Sequence, residues 1–148
     1  MAGDDMQGVV WGRELSGHQS VTRLQLQRAM GAYLRAGRWK NIKVGIASNP
    51  EQRWKNAYRD HGWQTLVVVY RSNSWESVQE VEDFLILYAC ADFIRPSDDD
   101  RTIPERHTQA DAFILNERRG RAGRPPKAGP PYFVYFALAP RYARITKK

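Results

Sequence analysis

Two basic side chains lie where they could bind a phosphate group. Arg53 is one turn inside a predicted helix that begins at Asn49 and Pro50, since asparagine accepts hydrogen bonds from free helix amides and proline suits the first helical position. Lys43 lies on the predicted strand just before this helix, and small residues stand beside it. A strand that leaves room beside a lysine, followed by an arginine in a fixed position, favours binding of a polyanion.

A carboxylate interrupts the apolar side of the clearest predicted helix, residues 75 to 90. At about 100° per residue the apolar side chains form one stripe, and Glu82 falls inside it, whereas Glu80 and Asp83 fall on the solvent side. Glu82 must therefore lose part of its hydration or face a cleft. Two interpretations stay open: a glutamate at the edge of the stripe that reaches water or pairs with a lysine, or a carboxylate directed into a site as a metal ligand or acid–base group.

Alternating strands and helices must position these side chains. Apolar alternation, β-branched runs and helical spacing give the boundaries of each element. Strands are predicted over residues 41 to 47, 65 to 71 and 132 to 138. Helices are predicted over residues 20 to 36, 50 to 61 and 75 to 90. This order predicts an α/β (α+β) fold in which helices flank one small mixed or antiparallel sheet.

The strand at residues 65 to 71 is an uninterrupted β-branched run, which predicts a central strand covered on both faces. Residues 1 to 19 are predicted to be an N-terminal extension, either a mobile end or a single edge strand, before one domain at 20 to 148. Residues 92 to 112 predict a long surface loop, and residues 111 to 117 a short strand or helix.

The positive charge of the chain is concentrated near its C-terminal end. The 148 residues carry a net charge of +7, with nine Lys or Arg and no acid from residue 118 onward. The preceding residues are near neutral, with 14 Lys or Arg against 16 Asp or Glu. A concentrated basic segment is typical of proteins that bind phosphate backbones or anionic membranes. Because no amphipathic helix is predicted there, we expect nucleic acid, and not a membrane, to be the partner.

No apolar run approaches the ~20 residues that cross a bilayer, and the N-terminal residues have no basic region followed by an apolar segment. We therefore expect a soluble intracellular protein, in the cytoplasm or associated with the nucleoid.

Three segments together resemble the GIY-YIG nuclease family. Val44-Gly45-Ile46 matches the end of the family's second strand motif, Asn49 to Arg53 matches its N-P-x-x-R turn, and Glu82 to Ile86 matches its E-x-x-L-I helix. The joint match covers roughly residues 31 to 90, with a strand between the two helices. The resemblance implies a small sheet flanked by helices and hydrolysis of DNA phosphodiester bonds by an endonuclease.

The resemblance also implies roles for individual residues. Glu82 would ligate one divalent ion, Mg²⁺ or Mn²⁺, which neutralises charge on the leaving oxygen. Arg53 would stabilise the charge that grows on the scissile phosphate. Lys43 stands where the family has a tyrosine, so it would activate the base or contact phosphate. Tyr33 is the expected general base, and Tyr58 is a second candidate tyrosine.

The expected position of Tyr33 conflicts with its local sequence. The family places the first-motif tyrosine, here in Gly31-Ala32-Tyr33, on a strand paired with residues 41 to 47. Helical spacing over residues 20 to 36 predicts instead that Tyr33 lies on a helix, as a core aromatic residue.

A basic tract near the C-terminal end gives candidate DNA-binding residues. Gly123-Arg124-Pro125-Pro126-Lys127 resembles the core of an AT-hook, whose arginines enter the minor groove. The alternative is a flexible loop that touches phosphates without reading bases. In either case we expect the tract to add affinity for DNA. The candidate residues are Arg118, Arg119, Arg121, Arg124 and Lys127.

Two other functions compete with a nuclease. The first is a DNA-binding protein that kept the fold but lost full activity when lysine replaced the second-motif tyrosine. The second is a basic structural RNA-binding protein, which accounts for the tail but not for Glu82 in an apolar stripe. If the protein makes double-strand cuts, a homodimer is one way to supply two active sites.

Overall fold

A computed structural model describes residues 7 to 93, 113 to 114, 124 to 140 and 143 to 145. In chain order the elements are β1 (Gly8–Val10), α1 (Gln19–Arg35), β2 (Trp39–Ala47), α2 (Pro50–Arg53), a π-helix (Trp54–Tyr58), β3 (Thr65–Ser72), α3 (Trp75–Phe93), β4 (Phe113–Ile114) and β5 (Tyr132–Pro140). These elements confirm a mixed α/β fold with one small sheet flanked by helices. Among the described helices, none is long and apolar enough to cross a membrane.

The strands form one mixed sheet in the order β1-β3-β5-β2-β4. The middle strand, β5, comes from the C-terminal part of the chain and pairs antiparallel with both β2 and β3. The short outer strands β1 and β4 pair parallel with β3 and β2, respectively. The predicted strand at residues 65 to 71 is confirmed as β3, which has a neighbour on each side and is buried over most of its length.

Side chains alternate between two separately packed faces of the sheet. Ile42, Val44 and Ile46 of β2 pack in one cluster with side chains of α1 and α3, so we call this the α1/α3 face. Ala47 packs in a second cluster with residues of the π-helix, so we call this the π-helix face. Gly45, by the same alternation, lies on the π-helix face.

The predicted elements are present with changed ends. Predicted helices at 20 to 36 and 75 to 90 are α1 and α3, and the predicted strand at 132 to 138 is β5. The predicted helix at 50 to 61 is α-helical only from Pro50 to Arg53. The prediction is wrong for the residues that follow, because they form a π-helix that ends at Tyr58. Of the two alternatives for the N-terminal residues, the structure has an edge strand at Gly8–Val10. Nearly all of the predicted loop at 92 to 112 lies outside the described residues.

Candidate active site

The turn that positions Arg53 forms as its sequence predicts. Pro50 occupies the first turn, and the Asn49 side chain accepts a hydrogen bond from the backbone N–H of Gln52 at 3.1 Å. The backbone N–H of Arg53 donates to the Asn49 carbonyl at 3.0 Å. The cap fixes the start of the helix at the end of β2, and the Arg53 side chain is exposed to solvent. It is therefore available to an anion.

The π-helix that follows changes which side chain lies next to Arg53. Arg59 donates its backbone N–H to the Trp54 carbonyl at 2.8 Å, five residues back instead of four. In an α-helix Ala57 would share a face with Arg53, whereas the wider turn moves Tyr58 toward it. Tyr58 is buried on the π-helix face of the sheet.

Tyr58 meets a second tyrosine that the sequence analysis did not select. Its hydroxyl lies 2.7 Å from the hydroxyl of Tyr135 on β5, and the two rings contact edge to face with centroids 5.6 Å apart. Tyr135 pairs with Gly45 across β5 and β2. A methyl group on Gly45 would overlap the Tyr135 hydroxyl, so glycine is the residue that lets this phenol lie over β2.

Burial raises the pKa of both phenols above the usual value. The positive charge of Arg53 acts against this rise at both Tyr58 and Tyr135, and the negative charge of Glu82 adds to it. Both hydroxyls therefore stay protonated at neutral pH. The same relationships indicate that Arg53 and Glu82 lie close enough to the tyrosine pair to act on it electrostatically.

Glu82 is a buried carboxylate, with 8% of its surface exposed. Burial, followed by the neighbouring charge of Asp83, raises its pKa to about 7, and the charge of Lys43 acts in the opposite direction. Within the described part of the chain, the structure shows no hydrogen bond to this carboxylate. A buried acid without a donor is stabilised either by a proton or by a cation. The burial predicted from the apolar stripe is therefore confirmed.

Lys43 links Glu82 to the tyrosine pair. It is half-buried on β2, its Nζ lies 5.9 Å from the centroid of the Tyr58 ring, and its charge lowers the pKa of Glu82. Lys43, Arg53, Tyr58 and Glu82 thus each interact electrostatically with another of these residues or with Tyr135, and we call these five residues the electrostatic cluster.

Tyr33 lies elsewhere, and its expected place on a strand beside β2 is wrong. It belongs to α1, where its hydroxyl accepts a hydrogen bond from Arg13 Nη1 at 2.7 Å. Its ring packs edge to face on Phe136, which points to the α1/α3 face, whereas Tyr135 points to the opposite face. The helical spacing of this segment therefore predicts the position of Tyr33 correctly, and the family motif does not. The strand antiparallel to β2 carries Phe133-Val134-Tyr135 instead.

Tyr135 was missed because its partner strand is distant in sequence. The signal that could have found it is a tyrosine in the middle of an otherwise apolar predicted strand, since a buried phenol needs a partner for its hydroxyl. The pairing of Tyr135 with Gly45 could not be predicted from the sequence alone.

Of the basic tract, the structure describes Arg124 and Lys127, and both side chains are exposed. Gly129 donates its backbone N–H to the Pro126 carbonyl at 3.1 Å, closing a turn that leads into β5. Because Phe133 at the start of β5 pairs with Ala47 at the end of β2, this turn enters the sheet at the end where α2 begins. The other candidates, Arg118, Arg119 and Arg121, lie outside the described residues.

Glu82 is the carboxylate that could hold a metal ion in the electrostatic cluster. Within residues 7 to 93, 113 to 114, 124 to 140 and 143 to 145, no group of three or more His, Cys, Asp or Glu side chains could hold an ion. Mg²⁺ is bound through one or two carboxylates with water and substrate phosphate as its other ligands. Glu82, buried and with no hydrogen-bond donor among the described residues, fits that kind of site.

Comparison with known proteins gives no relative on which to rest an identification. No family model matches the chain, and no curated protein or solved structure matches it.

Proposed function

We propose that this protein is a divalent-metal-dependent DNA endonuclease with a site similar to that of the GIY-YIG family. The observation that carries the proposal is the tyrosine pair, whose hydroxyls lie 2.7 Å apart beside Lys43 and whose pKa values respond to the charges of both Arg53 and Glu82. An exposed arginine and a buried carboxylate beside two neutral phenols suit hydrolysis of a phosphodiester.

Each residue has a distinct role in this proposal. Arg53 binds the scissile phosphate and stabilises the charge that grows on its oxygens, for which a planar cation is suited. Glu82 holds Mg²⁺ or Mn²⁺, and the ion, when bound, supplies charge neutralisation at the leaving oxygen. Tyr58 and Tyr135 orient the attacking water through their hydroxyls. Lys43 favours the ionised form of Glu82, because its charge opposes the rise in pKa that burial causes.

The tyrosines act as orienting groups, and not as resting phenolates, because burial raises the pKa of both. This differs from the role expected for Tyr33. In this proposal Tyr135, on the strand that pairs with β2, takes the place that the family resemblance gave to Tyr33.

A plasmid nicking assay tests the proposal. The wild type should nick supercoiled DNA with Mg²⁺ or Mn²⁺, and Arg53→Ala and Glu82→Gln should each lose about 100-fold or more in rate. Arg59→Ala is the matched control, since Arg59 is an exposed arginine directly after the π-helix. Its Nε lies 3.7 Å from Asp60 Oδ1. Its rate should stay within about twofold of the wild type, as expected for a surface ion pair.

A specific observation favours one alternative, a DNA-binding protein without nuclease activity. Lys43 stands where the family has a tyrosine, and the two phenols present resist ionisation. If the wild type retards DNA but does not nick it with any divalent ion, the alternative is correct and the nuclease proposal is wrong.

A further inference from the structure

Trp11 presents an aromatic ring to solvent next to the candidate active site. It directly follows β1, and 42% of its surface is exposed. The other tryptophans are buried or half-buried: Trp39, Trp54, Trp63 and Trp75. An indole with this exposure is a large apolar surface that the fold leaves in contact with water.

Two contacts fix the orientation of this ring. The indole Nε1 donates a hydrogen bond to Glu51 Oε1 at 2.8 Å. The ring also meets Phe133 edge to face, with centroids 5.3 Å apart and an angle of 87° between planes. The indole is therefore held by its nitrogen and by one aromatic neighbour, and keeps exposed area for a further partner.

Both contacts of Trp11 lead to exposed arginines. Glu51 belongs to the short helix α2, two residues before Arg53. Phe133 pairs directly with Arg71 of β3, and side chains of directly paired residues point to the same face of a sheet. Arg53 and Arg71 are both exposed. The indole thus contacts the helix that carries Arg53 and the β5 residue that pairs with Arg71.

We propose that Trp11 stacks on an unpaired base of the bound strand, so that the substrate is single-stranded DNA or a duplex with unpaired nucleotides. This rests on the nucleic-acid binding that is part of the proposed function. Bases inside an intact duplex are stacked on both sides, so a fixed indole can stack only on a base that has left the helix. Arg53 and Arg71 then contact phosphates of the same strand, which sets its position without reading sequence.

Binding to matched oligonucleotides, measured without divalent metal so that no cleavage occurs, tests this inference. The ligands are a dye-labelled single strand, a duplex of the same length, and a duplex with a single-stranded overhang. Trp11→Ala should weaken binding of the single strand and the overhang by about 5- to 150-fold, which corresponds to the ~1–3 kcal/mol of base stacking on an aromatic ring. Duplex binding should change less than about twofold.

Two further variants separate stacking from folding. Trp11→Phe should keep most of the single-strand affinity, since phenylalanine also offers an aromatic face. Leu24→Ala is the control for loss of exposed apolar area, because Leu24 is 57% exposed on α1 and contributes to no part of the site. Its binding should match that of the wild type for every ligand.

An abasic scan tests the inference on the unaltered protein. On the duplex with an overhang, whose junction sets the register, removing one overhang base at a time should weaken wild-type binding at one position, and that same removal should leave binding by Trp11→Ala unchanged. Equal losses by Trp11→Ala on single strand and duplex, or no loss on either, would overturn the inference.

The outcome also separates this inference from the nuclease proposal. A Trp11-dependent preference for unpaired DNA, with no cleavage of the plasmid, the single strand or the overhang duplex once Mg²⁺ or Mn²⁺ is added, would support stacking and refute nuclease activity. If the wild type nicks DNA and Trp11→Ala binds every ligand as tightly as the wild type does, the nuclease proposal is supported and stacking is refuted. If the wild type binds neither single-stranded nor duplex DNA at low salt, both proposals fail.

Discussion

Tyr58 and Tyr135 meet hydroxyl to hydroxyl at 2.7 Å, although 77 positions separate them in the chain. One belongs to the π-helix after Arg53, and the other to the middle strand of the sheet. Because β5 enters the sheet from the C-terminal part of the chain, the pair forms only when β5 has inserted between β2 and β3. The candidate site therefore depends on a contact between the middle of the chain and its C-terminal strand.

The tyrosine pair should show strong coupling in a double-mutant cycle. Tyr58→Phe or Tyr135→Phe alone leaves one buried hydroxyl without its partner, at a cost of about 1–3 kcal/mol in the free energy of unfolding. The double variant removes both polar groups, so it should be destabilised by less than the sum of the single changes. Urea unfolding of all four proteins measures this difference. Simple additivity would contradict the hydrogen bond between them.

Gly45 should be the glycine whose replacement disturbs the site most directly. Gly45→Ala places a methyl group on the Tyr135 hydroxyl, so we expect displacement of that phenol, a loss of about 1–3 kcal/mol in stability and a lower nicking rate. Gly31→Ala is the control, because a methyl there meets only the movable end of the Arg35 side chain. Alanine in the helix interior should stabilise the protein by roughly 0.5–1 kcal/mol and leave nicking unchanged.

Much of the site could be predicted from the sequence because its signals are local. Asn49 and Pro50 determine where a helix begins, and that start fixes the position of Arg53. Glu82 was found by periodicity alone, since three or four residues on either side define the apolar stripe that it interrupts. Both predictions depend on neighbours within one or two helical turns.

The parts that were missed depend on contacts distant in sequence. Nothing near Tyr135 indicates that its strand lies between β2 and β3, or that its hydroxyl lies over Gly45. Tyr33 was assigned by motif spacing, but its segment has a helical pattern, and the strand beside β2 is supplied by β5. The π-helix also has no sequence signal that we recognise, so the position of Tyr58 relative to Arg53 required the structure.

Glu82 should make the stability of the protein depend on pH. Its pKa is about 7 in the folded protein and about 4.5, the usual value for glutamate, in the unfolded chain. A raised folded-state pKa gives full stability below about pH 4.5, and stability falls as pH rises until the folded-state carboxyl has ionised near pH 7. This difference in pKa corresponds to roughly 3 kcal/mol in the free energy of unfolding. Glu82→Gln should remove this decrease and be more stable than the wild type at about pH 8.

Urea unfolding at about pH 5 and about pH 8 measures the effect, with Glu80→Gln as the control for an exposed glutamate. Mg²⁺ should raise wild-type stability at the higher pH, where protons do not occupy the carboxylate, and should have no such effect on Glu82→Gln. Identical pH profiles for the wild type and Glu82→Gln would show that this carboxyl is not buried in solution.

Arg124 and Lys127 should contribute to DNA affinity through phosphate contacts, because both are exposed on the turn that enters the sheet where α2 begins. Each alanine substitution should reduce the slope of log K against log salt by about one unit if one phosphate contact is lost. If the tract contacts only the DNA backbone, the loss of affinity should be similar for AT-rich and mixed-sequence duplexes. If its arginine enters the minor groove, the loss of affinity should be larger for AT-rich DNA. Arg28→Ala serves as the control, since Arg28 is an exposed arginine on α1, which covers the α1/α3 face of the sheet. Fluorescence anisotropy across a salt series measures all of these slopes, and a slope unchanged in both Arg124→Ala and Lys127→Ala would exclude the turn from the DNA-binding surface.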